Sequence, residues 1–275
     1  MSLRAAYRTD VARALGQMPQ VMRTITDTDL VRLPLPVQRY LRTAGVVGQP
    51  EVWNFHVRLH GRIRRDTDAR WMPLQAEQYD FVERRERFFF LNSTMFGIPV
   101  RGYHRYADAS ASMDIRAAGV IPVVRTSGPE MLQSETVTLL NDMCFFAPAT
   151  LVDPALVWEE SDRHSTRVRF SNGGVSVRAE LTFNAAGELT DFLSDDRYQT
   201  SANGREQTRR RWSTPARAYR AFGPMHLLAS GEGRWHTSEG PFAYIELTVD
   251  DVEYNVRRTL QRLSDPASTL APALH

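Results

Sequence analysis

The stretch WNFHVRLHGRI, residues 53–63, marks the point at which the sequence changes its hydrophobic period. Apolar residues occupy every second position from Trp53 to Leu59, and polar or charged residues stand between them. Successive side chains of a β-strand point to opposite faces, so this alternation predicts a strand with one buried face. The residues before Pro50 instead repeat at helical spacing, and we expect the chain to change from helices to a sheet at this point.

Two helices are predicted upstream of this change. Ser2 can cap a first helix that ends at Gly16, and Pro36 fits the first turn of a second helix that ends at Gly45. We therefore assign residues 1–49 to an N-terminal helical segment that packs on the main domain.

Period-two patterning continues downstream in short segments that are separated by turns rich in Asp, Gly and Asn. Examples are QAEQYDFVE, ERFFFLNST, VRGYHRYADA and, after the middle of the chain, FAYIELTVDDVEYNV. Short turns join antiparallel neighbours, since a parallel pair needs a long crossover connection. The sequence thus predicts a mainly β (α+β) fold, in which residues 50–262 form a strongly curved antiparallel sheet or open half-barrel. Residues 263–275 are predicted to be a loose tail.

The strand pattern is interrupted once, by GPEMLQSETVTLLNDMCFFAPATLV at residues 128–152. Pro129 can open a helix, apolar residues recur at roughly helical spacing, and Pro148 should end it. Because a sheet of many strands twists and curls, we expect this helix to lie on the concave face. Cys144, within its apolar part, is expected to be buried and slow to react.

The composition excludes several kinds of chemistry. All 34 basic residues are arginine, so neither a lysine Schiff base nor a P-loop lysine is available. The formal net charge is only +2, and the arginines of RRRW (209–212) alternate between two strand faces. We therefore expect no nucleic-acid partner.

The sequence indicates neither a metal site nor a cofactor. His56 and His60 would lie roughly 13 Å apart on one strand, from its rise of ~3.3 Å per residue, which is too far for joint zinc binding. No H-E-x-x-H, C-x-x-C or G-x-S-x-G motif occurs. Among the acids, Glu77 is the candidate catalytic residue, because its strand face also carries Tyr79 and could open into a cleft.

The sequence contains no stretch of about 20 apolar residues, which is the length that a membrane span needs. The first residues, MSLRAAYRTD, lack the apolar core of a signal peptide. We expect a cytoplasmic protein, and a trimmed natural leader stays open as the alternative.

Four segments carry a family resemblance: LPLPVQRYLRTAGVVGQP, AEQYDF, FFAPATLV and YNV. In this order they resemble an uncharacterised bacterial family with an LPxPVxRYL start, and the likeness spans roughly residues 30–256. That family has no established activity, so it implies no catalytic residues. The predicted architecture also resembles, by analogy alone, the half-barrel of lipoprotein carriers, in which a sheet curls around helices and leaves an apolar cavity.

Three functions follow as hypotheses. The first is binding of an apolar or amphipathic, lipid-like small molecule between sheet and helix. The second is a hydrolase-like enzyme that uses Glu77 with a histidine or arginine of the same cleft, and the third is a structural or interaction module without a ligand. For the first, the candidate ligand-binding residues are Trp53, Trp71, Gln78, Tyr79, Phe88, Phe90, Phe145 and Phe146. The oligomeric state is left open.

Overall fold

The computed structural model describes residues 1–16, 22–201 and 204–257. Three helices begin the chain, namely α1 (Leu3–Leu15), α2 (Asp27–Leu30) and α3 (Leu35–Thr43). Ser2 caps α1, since its hydroxyl accepts a hydrogen bond from the backbone amide of Ala5 at 3.2 Å. Pro36 lies in the first turn of α3, where its missing amide proton costs nothing.

Six strands follow: β1 (Asn54–Ile63), β2 (Met72–Phe81), β3 (Glu86–Met95), β4 (Ile98–Ala107), β5 (Ser110–Ala117) and β6 (Ile121–Ser127). The chain then forms α4 (Pro129–Phe146) and a short 3₁₀ helix (Pro148–Val152). Eight strands complete the fold: β7 (Val157–Ser161), β8 (Ser165–Asn172), β9 (Val175–Phe183), β10 (Leu189–Thr200), β11 (Gln207–Ser213), β12 (Ala216–Phe222), β13 (Met225–Thr237) and β14 (Gly240–Tyr254).

The fourteen strands belong to one sheet, in the order β6-β5-β4-β3-β2-β1-β14-β13-β11-β10-β9-β8-β7, with β12 paired to β13. Each of the described strand pairings is antiparallel. The first and last strands meet at the centre, where Phe55 pairs with Tyr254 and Ile63 with Ile245. The sheet is strongly curled into a half-barrel, which confirms the predicted fold class.

Each face of the sheet is covered by a different helix. α4 lies on the concave face and contacts strands from both halves, including β5, β9 and β10. α1 lies on the convex face against β3 and β4. Strand alternation therefore sends neighbouring residues into two separate hydrophobic cores, a large one around α4 and a small one beneath α1.

Two further expectations concern Cys144 and the ends of the segments. Cys144 is fully buried in the core around α4, and burial raises the pKa of its thiol well above the usual range. The proposed division at residues 49 and 262 stays a prediction, and the predicted tail, 263–275, lies outside the described residues.

The seam between β1 and β14 is closely packed at Gly61. A Cβ atom added there would lie 1.9 Å from the carbonyl oxygen of Glu246. Gly61→Ala must therefore push the two strands apart, and we expect it to lower the free energy of unfolding by roughly 1–3 kcal/mol. Urea denaturation of the variant beside the parent measures this loss.

Gly16→Ala serves as the matched control. Its added Cβ would meet nothing closer than 3.5 Å, and the residue has a right-handed φ of −68°. We expect a change within about 0.5 kcal/mol. Equal stability of the two variants would contradict the prediction for the seam.

Candidate ligand-binding cavity

A cavity of about 1180 Å³ lies between α4 and the concave face of the sheet. Ligand sites in proteins commonly measure ~300–1,000 Å³, so the volume of this space is somewhat above that range. Both halves of the sheet and α4 contribute apolar and aromatic lining residues, among them Leu59, Phe89, Leu91, Met113, Ile115, Met131, Phe145, Phe146, Trp212, Trp235, Ile245 and Leu247.

Four of the predicted ligand-binding residues line this cavity. Trp71 and Gln78 come from the loop before β2 and from β2 itself, and Phe145 and Phe146 come from the last turn of α4. The structure brings these four side chains together around one space. Their role in ligand binding remains a prediction.

The other four predicted residues do not line the cavity. Tyr79, Phe88 and Phe90 lie on the convex face and pack beneath α1, where the ring centroids of Tyr7 and Phe90 are 5.4 Å apart. Trp53 precedes β1 and is half-buried outside the cavity lining.

The run Phe88–Phe90 explains part of this difference. Three consecutive aromatic residues on a strand do not indicate which of them points to the concave face of the sheet. In the structure Phe89 points to that face and lines the cavity. The signal that could have decided the face is Arg87. It shares a face with Phe89 and needs acidic partners, and the mid-chain helix supplies two of them, Glu135 and Asp142.

The sequence reasoning missed a buried ionic cluster at the floor of the cavity. Arg87 donates from Nε to Asp142 at 2.6 Å and from Nη1 to Glu135 at 3.0 Å, and both acids belong to α4. Its Nη2 donates to Gln78 at 3.2 Å, and Asp80 lies 3.9 Å away. All five residues are buried. Glu135 and Asp142 stand seven residues apart, so they share the helix face that also carries apolar residues.

The pKa values of the carboxyl groups in this cluster are shifted in opposite directions. Burial opposes the ionisation of Glu135, but the charge of Arg87 and a contact with His104 at 3.3 Å outweigh it and lower the pKa of Glu135 to about 2. Burial, reinforced by the charge of Asp142, raises the pKa of Asp80 well above its usual value. Burial also raises the pKa of Asp142. An upward shift of this kind favours the neutral form of a carboxyl group.

Glu77, the candidate catalytic residue, lies on the convex face rather than in the cavity. Its Oε2 is 4.0 Å from Nε2 of His56, and its Oε1 is 3.6 Å from Nη2 of Arg4 in α1. Burial raises the pKa of Glu77, and burial lowers the pKa of His56 to about 4. The ring of His56 stacks on Tyr79 at 4.2 Å. Because α1 covers this face, the expected cleft around Glu77 is replaced by packed side chains.

Two searches for particular chemistry give negative results within the described ranges. No group of three or more His, Cys, Asp or Glu residues there could hold a metal ion. No helix in the described part of the chain is long and apolar enough to cross a membrane.

Comparisons with known proteins give one family and some distant structural likenesses. The chain is similar to a DUF1329 family protein from Desulfovibrio piger ATCC 29098, with a TM-score of 0.39 and 9% identity over 80% of this chain and 92% of that one. It is also similar to a putative outer membrane lipoprotein-sorting protein domain from Vibrio parahaemolyticus, with a TM-score of 0.35 and 9% identity over 74% of this chain and 86% of that one. A search of curated proteins finds no match. Residues 23–247 match the model of a family of unknown function, DUF6544.

The ionic cluster predicts losses of stability of different size when two of its acids are replaced. Glu135→Gln removes an ionised partner of Arg87, and we expect it to lower the free energy of unfolding by roughly 1.5–3 kcal/mol at neutral pH. Asp80→Asn should lower the free energy of unfolding by less than about 1 kcal/mol, because an amide resembles the neutral form of the carboxyl group, which burial favours. Urea denaturation of both variants and the parent measures the difference.

The pH dependence gives an independent check. The folded-state pKa of Glu135 is lowered from 4.5 to about 2. Its stabilising effect is therefore present above pH 4.5 and is lost as the pH falls toward about 2. The difference in free energy of unfolding between the parent and Glu135→Gln should therefore become smaller as the pH falls from 4.5 to about 2. A difference in free energy of unfolding that does not change with pH would contradict this description of the cluster. A larger loss of stability for Asp80→Asn than for Glu135→Gln would contradict it as well.

Phe146 tests whether the cavity is open. Phe146 lines the cavity, whereas Phe192 is fully buried in the same core and lies outside the lining. Phe192→Ala should lower the free energy of unfolding by roughly 3–5 kcal/mol. Phe146→Ala should lower it clearly less, because one side of the Phe146 ring faces the cavity and has no packing partner to lose. Chemical denaturation of both variants compares the two costs. Equal losses would indicate that the space beside Phe146 is closed in solution.

Proposed function

Because the chain belongs to the DUF6544 family, whose function is unknown, we propose a function from the cavity itself: the protein binds an apolar or amphipathic small molecule between the curved sheet and α4. The family match confirms the resemblance seen in the sequence. The observation that carries the proposal is the cavity of about 1180 Å³ with its mainly apolar and aromatic lining.

The lining favours a ligand with a long apolar part. Water in such a space wets aliphatic and aromatic side chains, and its replacement by hydrocarbon is favourable by about 0.8 kcal/mol for each buried CH₂ group. Polar and charged side chains contribute the smaller part of the lining surface, and they include Gln78, Arg87, Glu135, Asp142 and Asn141. An apolar space with a small number of polar groups is the usual design of a site that binds and orients an amphipathic molecule.

The cavity also has an opening through which a ligand can enter. Arg65, Arg70 and Phe96 line it and are exposed to solvent, and Phe96 is 86% exposed. They lie in the β1–β2 loop and at the tip of the β3–β4 hairpin. Trp71 stands beside them, with the guanidinium of Arg64 4.5 Å from its ring. An aromatic and basic rim of this kind suits the passage of an amphipathic molecule.

The other two hypotheses receive less support. A structural or interaction module without a ligand would be expected to have a filled core, and this core contains a large space. The hydrolase hypothesis places its acid on Glu77, which is not among the residues that line the cavity. A cytoplasmic location stays a proposal that rests on the sequence.

Filling the cavity tests the proposal directly. Met113 of β5 lines the cavity, and Met113→Trp places an indole in the space that a ligand would occupy. N-phenyl-1-naphthylamine, an uncharged fluorescent probe, should bind the parent and bind the variant at least about tenfold more weakly. Native mass spectrometry of protein purified without detergent should in parallel detect lipid-sized mass on the parent and less of it on the variant.

Ser112→Trp is the matched control. Ser112 is the neighbouring residue of β5 and points to the opposite face of the sheet, so its indole leaves the cavity unchanged. Probe affinity should match that of the parent. The proposal fails if the parent binds no probe, or if both tryptophan variants weaken binding equally.

A further inference from the structure

A second basic group of the cavity differs from Arg87 in having no acidic partner. Arg197 of β10 lines the cavity, and its Nη1 donates to the hydroxyl of Tyr244 at 3.0 Å. Its guanidinium lies 4.2 Å from the ring of Trp212 and 5.3 Å from that of Trp235. Its Nε is buried without a hydrogen-bond partner. Across the residues that the structure describes, no carboxylate lies within 4.0 Å of Arg197.

A second arginine stands directly beside it. Arg210 of β11 is the cross-strand partner of Arg197, so the two side chains leave the sheet on the same face. The Nε of Arg210 is also buried without a hydrogen-bond partner, and no described carboxylate is within 4.0 Å of this side chain either. Two like charges directly opposite each other in a sheet are destabilising. An anion bound at Arg197 would reduce that cost, although Arg210 itself is not among the residues that line the cavity.

The acids that line the cavity are already paired with other arginines. Glu135 and Asp142 bind Arg87. Glu232 pairs with Arg217 at 2.5 Å and also contacts Arg234. Each of these three carboxylates is thus paired with another arginine, and Glu135, whose pKa the charge of Arg197 helps to lower, forms no ion pair with Arg197 itself.

We propose that Arg197, supported by Arg210, binds the anionic headgroup of an acidic amphiphile, such as the carboxylate of a long-chain acid. This inference rests on the proposed function and specifies the ligand class of the same cavity. A guanidinium presents parallel N–H donors that match the two oxygens of a carboxylate. The aromatic rings of Trp212 and Trp235 fix the plane of the guanidinium, and the apolar lining beyond them receives the chain.

Three amphiphiles with the same chain and different headgroups test the inference. Dodecanoate, dodecanol and dodecylammonium are titrated at neutral pH against N-phenyl-1-naphthylamine bound to the full chain. Dodecanoate should displace the probe from the parent at about tenfold lower concentration than dodecanol, a ratio typical of one charge-assisted hydrogen-bonded contact. Dodecylammonium should bind no better than the alcohol.

Arg197→Gln should reduce that ratio to within about twofold, because it weakens the binding of dodecanoate more than that of dodecanol. Arg197→Lys, which keeps the charge but loses the fork of donors, should retain part of the preference. Arg211→Gln is the matched control, since Arg211 is exposed, pairs with Asp195 at 2.8 Å and faces away from Arg210. It should behave as the parent. If Arg197→Gln does not fold, Arg210→Gln takes its place, with a smaller reduction of the ratio expected.

The outcomes separate this inference from the proposed function. Equal binding of dodecanoate and dodecanol by the parent, or a preference for dodecylammonium, would overturn the headgroup assignment while the cavity remains a binding site. A ratio that survives in both Arg197→Gln and Arg210→Gln would overturn it as well. Failure of all three amphiphiles to displace the probe would count against the proposed function itself.

Discussion

The pairing of β1 with β14 is the constraint on which the rest of this structure depends. It joins the first and the last of the described strands in chain order, so that two antiparallel meanders become one continuous surface. Asn54 reinforces the seam, because its side chain accepts from the backbone amide of Val256 at 2.8 Å and donates to the carbonyl of the same residue at 2.9 Å. A register shift between Arg58 and Leu59 adds local twist. Without this seam neither half could form a concave face around α4.

The curvature that follows from the continuous sheet explains the cavity. A twisted sheet of this many strands encloses more space than one helix of 18 residues can fill. The floor of that space is fixed by Arg87, which binds two acids of α4 that are two helical turns apart. A buried ionic contact of this kind restricts where a helix can sit, because any shift would leave a charge unpaired. α4 is thus tied to β3 through Arg87, and the cavity extends from this cluster.

The two cavity arginines show how one residue type can serve two purposes. Arg87 is surrounded by carboxyl groups and stabilises the position of a helix. Arg197 lies beside the rings of Trp212 and Trp235, and it is the group that we propose binds the headgroup of a ligand. In a chain whose basic residues are all arginine, this difference comes from neighbours rather than from residue identity.

Several parts of this protein could be predicted from the sequence because they depend on local periodicity. The alternation after Pro50, the helical spacing before Pro148 and the short turns determined the antiparallel sheet, its six strands before α4 and the helix itself. The burial of Phe145 and Phe146 followed from the same pattern. These features reflect contacts between residues close in the chain, which a sequence displays directly.

The face that each strand presents to α4 was decided by the tertiary structure alone. Alternation shows that Tyr79 and Gln78 point in opposite directions, but it does not show which of the two meets α4 and which meets α1. The same holds for Arg197 and Arg210, which become neighbours only through the register of β10 and β11. The sequence by itself determined the strands, the helices and their apolar content. The cavity, the buried ionic cluster and the arginine pair arise from the curling of the sheet, because that curling brings together residues far apart in the chain.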